Sequence, residues 1–241
     1  MDCPNSAKAS KANNLSPAPI GPKASKAHSP SSCSEEVPCI TSDFNVCYAL
    51  DKSGSISSAE YDEIKDFGIN MTEKLQADAD SNSVTFLSSI VEWGTSVNVV
   101  NNSGSPLNIS PVTIASFNSL PSGSLGGTIA SLGITACNST LPTNNPNEKD
   151  VILVITDGDT VNPTLTDTIV TDVKNEGTLI IPVFIGSAGS SPEWENWSST
   201  GVVYYTSFDG LNSIVDEIQL CPDSVSVPAA EPPSGSPSFS P

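Results

Sequence analysis

Arginine is absent from this 241-residue chain, and its nine basic residues, all lysine, face 27 acidic ones. The formal charge of −18 excludes a basic face able to displace the counterions of a nucleic acid. The one histidine, His28, lies in a polar stretch near the N-terminus, so imidazole-based catalysis and thiolate–imidazole zinc sites have no support. No Gly-x-x-x-x-Gly-Lys-Ser/Thr loop for phosphates and no Gly-x-Ser-x-Gly nucleophile elbow occurs. No apolar run approaches the roughly 20 residues a membrane-crossing helix needs. Met1 to Ser10 also lacks the apolar stretch of a secretory signal. That leaves a cytosolic protein or a piece of something larger.

Two features favour the second. The six cysteines, Cys3, Cys33, Cys39, Cys47, Cys137 and Cys221, form no Cys-x-x-Cys pair, which points to disulfides and an oxidising compartment. Asn-x-Ser/Thr sequons stand at Asn70, Asn101, Asn108, Asn138 and Asn196, each a candidate glycosylation site. A secreted or cell-surface protein is the expectation.

Composition divides the chain into three. Residues 1–38 are rich in Ser, Ala, Pro and Lys, with a near-repeat at residues 7–12 and 23–27; residues 222–241 are rich in Ser and Pro. Both are too poor in apolar residues to offset the cost of ordering and read as linkers or tails. Residues 39–221 are patterned differently. Phe44, Val46, Tyr48 and Leu50 alternate with Cys47 and Ala49, as in a strand with two distinct faces. Ser57 with Glu60 forms a capping box, followed by Ile64, Phe67, Met71 and Leu75 at helical spacing.

Strands are predicted at residues 84–93 and 96–100, and helices at about 111–120 and 128–137. Val151–Ile155 is a continuous apolar run, the mark of a strand covered on both faces. Asn162-Pro163 signals the next helix, with Leu165, Ile169 and Val173 expected inward. Residues 179–185 read as a strand that Pro182 pushes toward a sheet edge. A short strand at 202–205 precedes a last helix capped by Asp209, with Leu211, Ile214, Val215 and Ile218 inward. Alternating strands and helices predict a doubly wound α/β domain, which holds its site beyond the carboxyl ends of the strands.

Two acidic turns follow directly on strand ends. Asp51, Ser53 and Ser55 lie on the first, and Asp157 closes the strand at 151–155. Thr128, after Gly126-Gly127, adds a third loop. Carboxylates and hydroxyls converging at such a place are oxygen ligands suited to a hard divalent cation.

In these features the chain resembles the von Willebrand factor A family, which includes the integrin inserted domains. Its metal-ion-dependent adhesion site (MIDAS) comprises an Asp-x-Ser-x-Ser loop, a later Thr and a later Asp. Asp51, Ser53, Ser55, Thr128 and Asp157 match in order, and Ile155-Thr156-Asp157-Gly158 extends the likeness. It covers about residues 41–220. It implies a six-stranded, mostly parallel sheet with one antiparallel edge and a tolerated proline in the fifth strand. It also implies Mg²⁺ (or Mn²⁺ or Ca²⁺) engaging a carboxylate offered by a protein or matrix partner, in an adhesion module that is not an enzyme. The lysine at position 52 is similar to anthrax toxin receptor domains, whose terminal disulfide Cys39 and Cys221 would reproduce.

Competing readings are weaker. A plain turn does not account for Thr128 and Asp157, and an EF-hand would need a glycine at the loop's sixth position and a preceding helix. Thr128 could serve as a helix cap alone. Cys47 and Cys137 either bridge the strand and helix layers or remain buried thiols, the bridge being preferred. The alternative function is a matrix or cell-wall protein whose domain is a spacer and whose tails bind.

Overall fold

The computed structural model describes residues 41–100, 105–142, 147–186, 192–218 and 220. Both predicted linkers, Cys3, Cys33, the Cys39–Cys221 pair and Asn101 lie outside them.

Six strands form one sheet: β1 (Asp43–Asp51), β2 (Phe86–Trp93), β3 (Val97–Val100), β4 (Glu148–Thr156), β5 (Leu179–Ile185) and β6 (Tyr204–Thr206). Their order is β3-β2-β1-β4-β5-β6. Only the β2–β3 pair is antiparallel; β1 runs parallel to both β2 and β4. The chain winds outward from β1 in one direction and, beginning again at β4, in the other. The switch point therefore falls between β1 and β4, where such sheets open a crevice beyond the strand ends.

Period-two alternation in β1 assigns its two faces to separate cores. Phe44, Val46, Tyr48 and Leu50 pack with Ile64, Phe67, Met71 and Leu75 of α1 (Ser58–Asn82) and with Phe117 of α2 (Ser110–Ser119). Cys47 and Ala49 pack with Ile134 of α3 (Ala130–Thr140), with Val170 and Val173 of α4 (Pro163–Asn175), and with Trp194 and Trp197 of α5 (Pro192–Trp197). The two tryptophans are buried edge to face, 4.7 Å between centroids, a packing pair with no exposed ring. Cys47 and Cys137 are joined by a disulfide with Cα atoms 5.5 Å apart, which ties the central strand to α3.

The start of α1 follows the expected chemistry. The Ser57 hydroxyl accepts from the Glu60 N–H while the Glu60 carboxylate accepts from the Ser57 N–H, satisfying two donors that the first turn leaves free.

Two expectations need correction, on α4 and at the last helix, and a third, for Pro182, is resolved. Leu165 is 46 % exposed, whereas Val173 is buried as expected, Ile169 packs partly buried against the same core, and Thr166 and Val170 also face inward; the Thr166 hydroxyl satisfies itself on the Asn162 carbonyl at 3.0 Å, so a polar side chain takes an interior position. Pro182 lies on an interior strand, as the resemblance implies: it pairs with Val154 on one side and stands one residue before the pairing with β6 begins at Val183. The last helix is a 3-10 helix, Phe208–Ile214, whose N-cap is Ser207 rather than Asp209. Its inward residues are as expected: Leu211, Ile214, Val215 and Ile218 are all buried.

Candidate metal centre

Asp51 is the last residue of β1, and Asp157 follows directly on the last residue of the neighbouring β4. The two aspartates thus project at the switch point because their strands are hydrogen-bonded neighbours. Asp51 is fully buried. Its Oδ1 accepts from the Ser53 N–H at 2.8 Å and its Oδ2 from the Thr156 hydroxyl at 2.6 Å. Burial is the main reason its carboxyl is pushed up to about 6, with the nearby Asp157 charge a lesser contribution. Asp157 is raised as well, again chiefly by burial.

A relay of oxygens runs outward from there. The Ser53 and Ser55 hydroxyls share a hydrogen bond of 3.0 Å, and the Ser55 hydroxyl donates to Asp157 Oδ1 at 2.9 Å. Ser53 is buried and Ser55 exposed, so the chain climbs from the core to the surface.

The third loop is pinned beside the first. The Gly54 N–H donates to the Gly126 carbonyl at 2.6 Å and the Leu125 N–H to the Lys52 carbonyl at 2.7 Å. This approach requires glycine at two points: a Cβ on Gly94 would lie 2.6 Å from the Leu125 carbonyl oxygen, and Gly126 has φ +96°. Thr128 is held through its carbonyl, which accepts from the Val161 N–H at 2.9 Å. Its hydroxyl faces Gly158, 3.7 Å from where a Cβ there would stand. Thr128 is not the cap of α3: the first helical N–H, of Ala130, is met by the Thr160 hydroxyl at 3.2 Å.

Asp51, Ser53, Ser55 and Asp157 are therefore one hydrogen-bonded constellation, with Thr128 on the adjoining loop. The donor set is entirely oxygen, two carboxylates and three hydroxyls, and fits a hard divalent cation. Among the described residues no three His, Cys, Asp or Glu side chains gather into a metal cluster; here two carboxylates stand among hydroxyls instead. Asp159 is exposed and takes no part in this relay.

Sequence reasoning missed the residues beneath. Thr156 bridges β4 to Asp51. Lys52, whose side chain turns inward, meets Glu92 of β2 at 2.6 Å, both buried. A glutamate inside the otherwise uncharged strand β2 was the available signal.

Among the sequons, Asn70 and Asn196 are exposed, while Asn108 and Asn138 are half-buried. The Asn138 amide donates to Glu176 at 2.8 Å.

No protein-family model and no curated protein sequence matches the chain. Solved structures do. Proximal thread matrix protein 1 from the mussel byssus aligns at 19 % identity and TM-score 0.58, over 73 % of this chain and 46 % of that one. The fold is that of a von Willebrand factor A domain. A structure of the same mussel protein with a zinc-occupied MIDAS motif aligns at 17 % identity and TM-score 0.61, over 73 % and 46 % of the two chains. The open conformation of the pilus adhesin SpaC from Lactobacillus rhamnosus GG aligns at 11 % identity and TM-score 0.59, over 73 % and 29 %. This chain thus spans less than half the length of these structures, and the von Willebrand factor A-like domain is the part it shares with them.

Proposed function

We propose that the chain is an extracellular adhesion or matrix module that binds a divalent cation through Asp51, Ser53, Ser55, Thr128 and Asp157, and engages a carboxylate of a protein partner there. The observation that carries this reading is the relay from Asp51 through Ser53 and Ser55 to Asp157 at the switch point of the sheet. The bound cation would supply an electrophilic position for an incoming carboxylate. The protein's own groups prepare that position. Asp51 and Asp157 bring negative charge into a partly dry site where each is costly to ionise alone. The neutral hydroxyls of Ser53, Ser55 and Thr128 add ligands without adding charge, so a cation held here would retain attraction for a further anion.

Support also comes from the neighbours, a byssal matrix protein whose MIDAS motif can hold zinc and a pilus adhesin. A binding role without catalysis, a domain spanning 39–221 between two linkers, and secretion belong to the same proposal. The charge and the six cysteines suit it, and no helix among the described residues is long and apolar enough to cross a membrane.

Calorimetric titration with Mg²⁺, Mn²⁺, Ca²⁺ and Zn²⁺ tests the reading. The wild-type chain is expected to bind at least one of them with a single site, and Asp51→Ala to lose it. Equal binding by Asp51→Ala would sink the proposal. The matrix neighbour and the lysine-bearing repeat near the N-terminus keep one second reading in play, in which the tails do the binding. Full surface attachment by Asp51→Ala with metal chelated would favour it.

A further inference from the structure

The side chain of Lys52 sits inside the metal loop, between Asp51 and Ser53, yet points away from the site. Its ammonium is 5 % exposed as a residue and donates to Glu92 Oε1 and to the Pro121 carbonyl, each at 2.6 Å. It also lies 4.8 Å from the centroid of the Tyr61 ring, over its face. Glu92, 1 % exposed, is fully engaged in turn: Oε1 accepts from the Tyr61 hydroxyl at 2.6 Å and Oε2 from the Asn98 amide at 2.6 Å. The main chain of Lys52 is anchored at both ends as well. Its N–H donates to the Trp93 carbonyl at 2.8 Å and its carbonyl accepts from the Leu125 N–H at 2.7 Å.

One residue thus joins five parts of the molecule: the first metal loop, α1 through Tyr61, β2 through Glu92 and Trp93, β3 through Asn98 by way of Glu92, and the segment from Pro121 to Leu125. That last segment leads directly into the loop bearing Thr128. A buried ion pair of this kind is a poor source of net stability, because desolvation offsets most of the attraction. Its value lies in geometry, since its partners accept few alternative arrangements.

We infer that Lys52 is a positioning residue for the metal centre. Its ion pair with Glu92 and its bond to Pro121 hold the Thr128 loop against the Asp51–Ser55 loop. The inference rests on the metal-binding reading above and adds a determinant that touches no metal. Because Lys52 and Glu92 neutralise one another, removing both together leaves the net charge beneath Asp51 unchanged. A loss of affinity in that double variant therefore reports position rather than field.

The experiment compares wild type, Lys52→Met, and the double variant Lys52→Met/Glu92→Gln. Thermal unfolding in chelator and calorimetric titration with Mn²⁺ are measured on each. Lys52→Met alone leaves Glu92 buried without its cation and is expected to lower the midpoint of unfolding most. The double variant is expected to recover most of that stability while binding Mn²⁺ about 10-fold to 100-fold more weakly than wild type, the range for groups that orient ligands without touching the metal. A double variant that is as stable as wild type and binds Mn²⁺ equally well overturns the positioning role and leaves the metal site standing. Failure of the wild-type chain to bind Mn²⁺ or any other divalent cation overturns both.

Discussion

The β1–β4 pair carries clustered carboxylates at each end, and the two ends are finished with different chemistry. At the N-terminal end, Asp43 is in register with Glu148, and Asn45 with Asp150. There the buried Asn45 amide donates to Glu148 at 3.0 Å and to Asp150 at 2.9 Å, and Asp43 accepts from the Thr85 N–H at 2.7 Å. At the C-terminal end, Asp51 and Asp157 each accept from a hydroxyl, and Asp51 also from the Ser53 N–H. The Asn45 N–H₂ donates to both carboxylates, and its carbonyl oxygen could replace it only by an amide flip that breaks both bonds, so the first cluster is closed. A hydroxyl carries a donor and two lone pairs on a rotating bond. Turning its hydrogen aside presents a lone pair inward, so the second cluster can exchange hydrogen bonds for ligation without moving its backbone. Acidic residues at a strand end are thus insufficient to mark a cation site; the type of donor around them decides.

That contrast can be broken in three places. Asp157→Ala should weaken Mn²⁺ binding by about 100-fold or more, beyond the range expected for an outer-shell group, whereas Asp150→Asn should leave it unchanged. Similar losses in both, measured by calorimetry, would show the two ends to be equivalent. Asn45→Ala withdraws the shared amide from two carboxylates and should cost about 1–3 kcal/mol in urea unfolding, the penalty of unmet buried polar groups, with metal affinity intact. If its stability is unaltered, the closed character of that end is misassigned. Ser55→Ala removes the most exposed hydroxyl of the relay and should lower Mn²⁺ affinity about tenfold, or roughly 1.4 kcal/mol, while changing metal-free stability little because Ser55 is exposed. A variant that binds Mn²⁺ as tightly as wild type would remove Ser55 from the ligand set.

Much of the fold was legible because it rests on short-range patterns. Alternation in residues 44–50 separated the two cores, and the Ser57–Glu60 box marked the start of α1. The order of Asp51, Thr128 and Asp157 along an alternating strand–helix chain suggested the place of the site. What stayed hidden depends on partners distant in sequence. Lys52 and Glu92 are 40 residues apart, and neither signals the other. Thr156 reads as one more β-branched strand residue until its neighbour on β1 is known to be acidic. On α4 only Leu165 was misplaced, because the inward Thr166 beside it bonds its own helix and gives no apolar signal. The kind of the final helix was not legible: Leu211, Ile214, Val215 and Ile218 recur at the 3.6-residue period of an α-helix, yet the 3-10 helix ends at Ile214, and Gly210, a poor helix former, sits within it.

The disulfide between Cys47 and Cys137 has a mechanical consequence. The two residues are 90 apart in sequence, and the covalent loop they close contains Asp51, Ser53, Ser55 and Thr128 but not Asp157. Pulling on the chain from its two ends cannot straighten that loop while the bond stands. At roughly 3.5 Å per extended residue, about 300 Å of chain is withheld from stretching. Under load β4 can be peeled away, carrying Asp157 out of the constellation, while the segment that holds Asp51 and Thr128 stays crosslinked. Tension would thus open the cluster at one carboxylate, and reduction of one sulfur–sulfur bond would release a further 90 residues of chain.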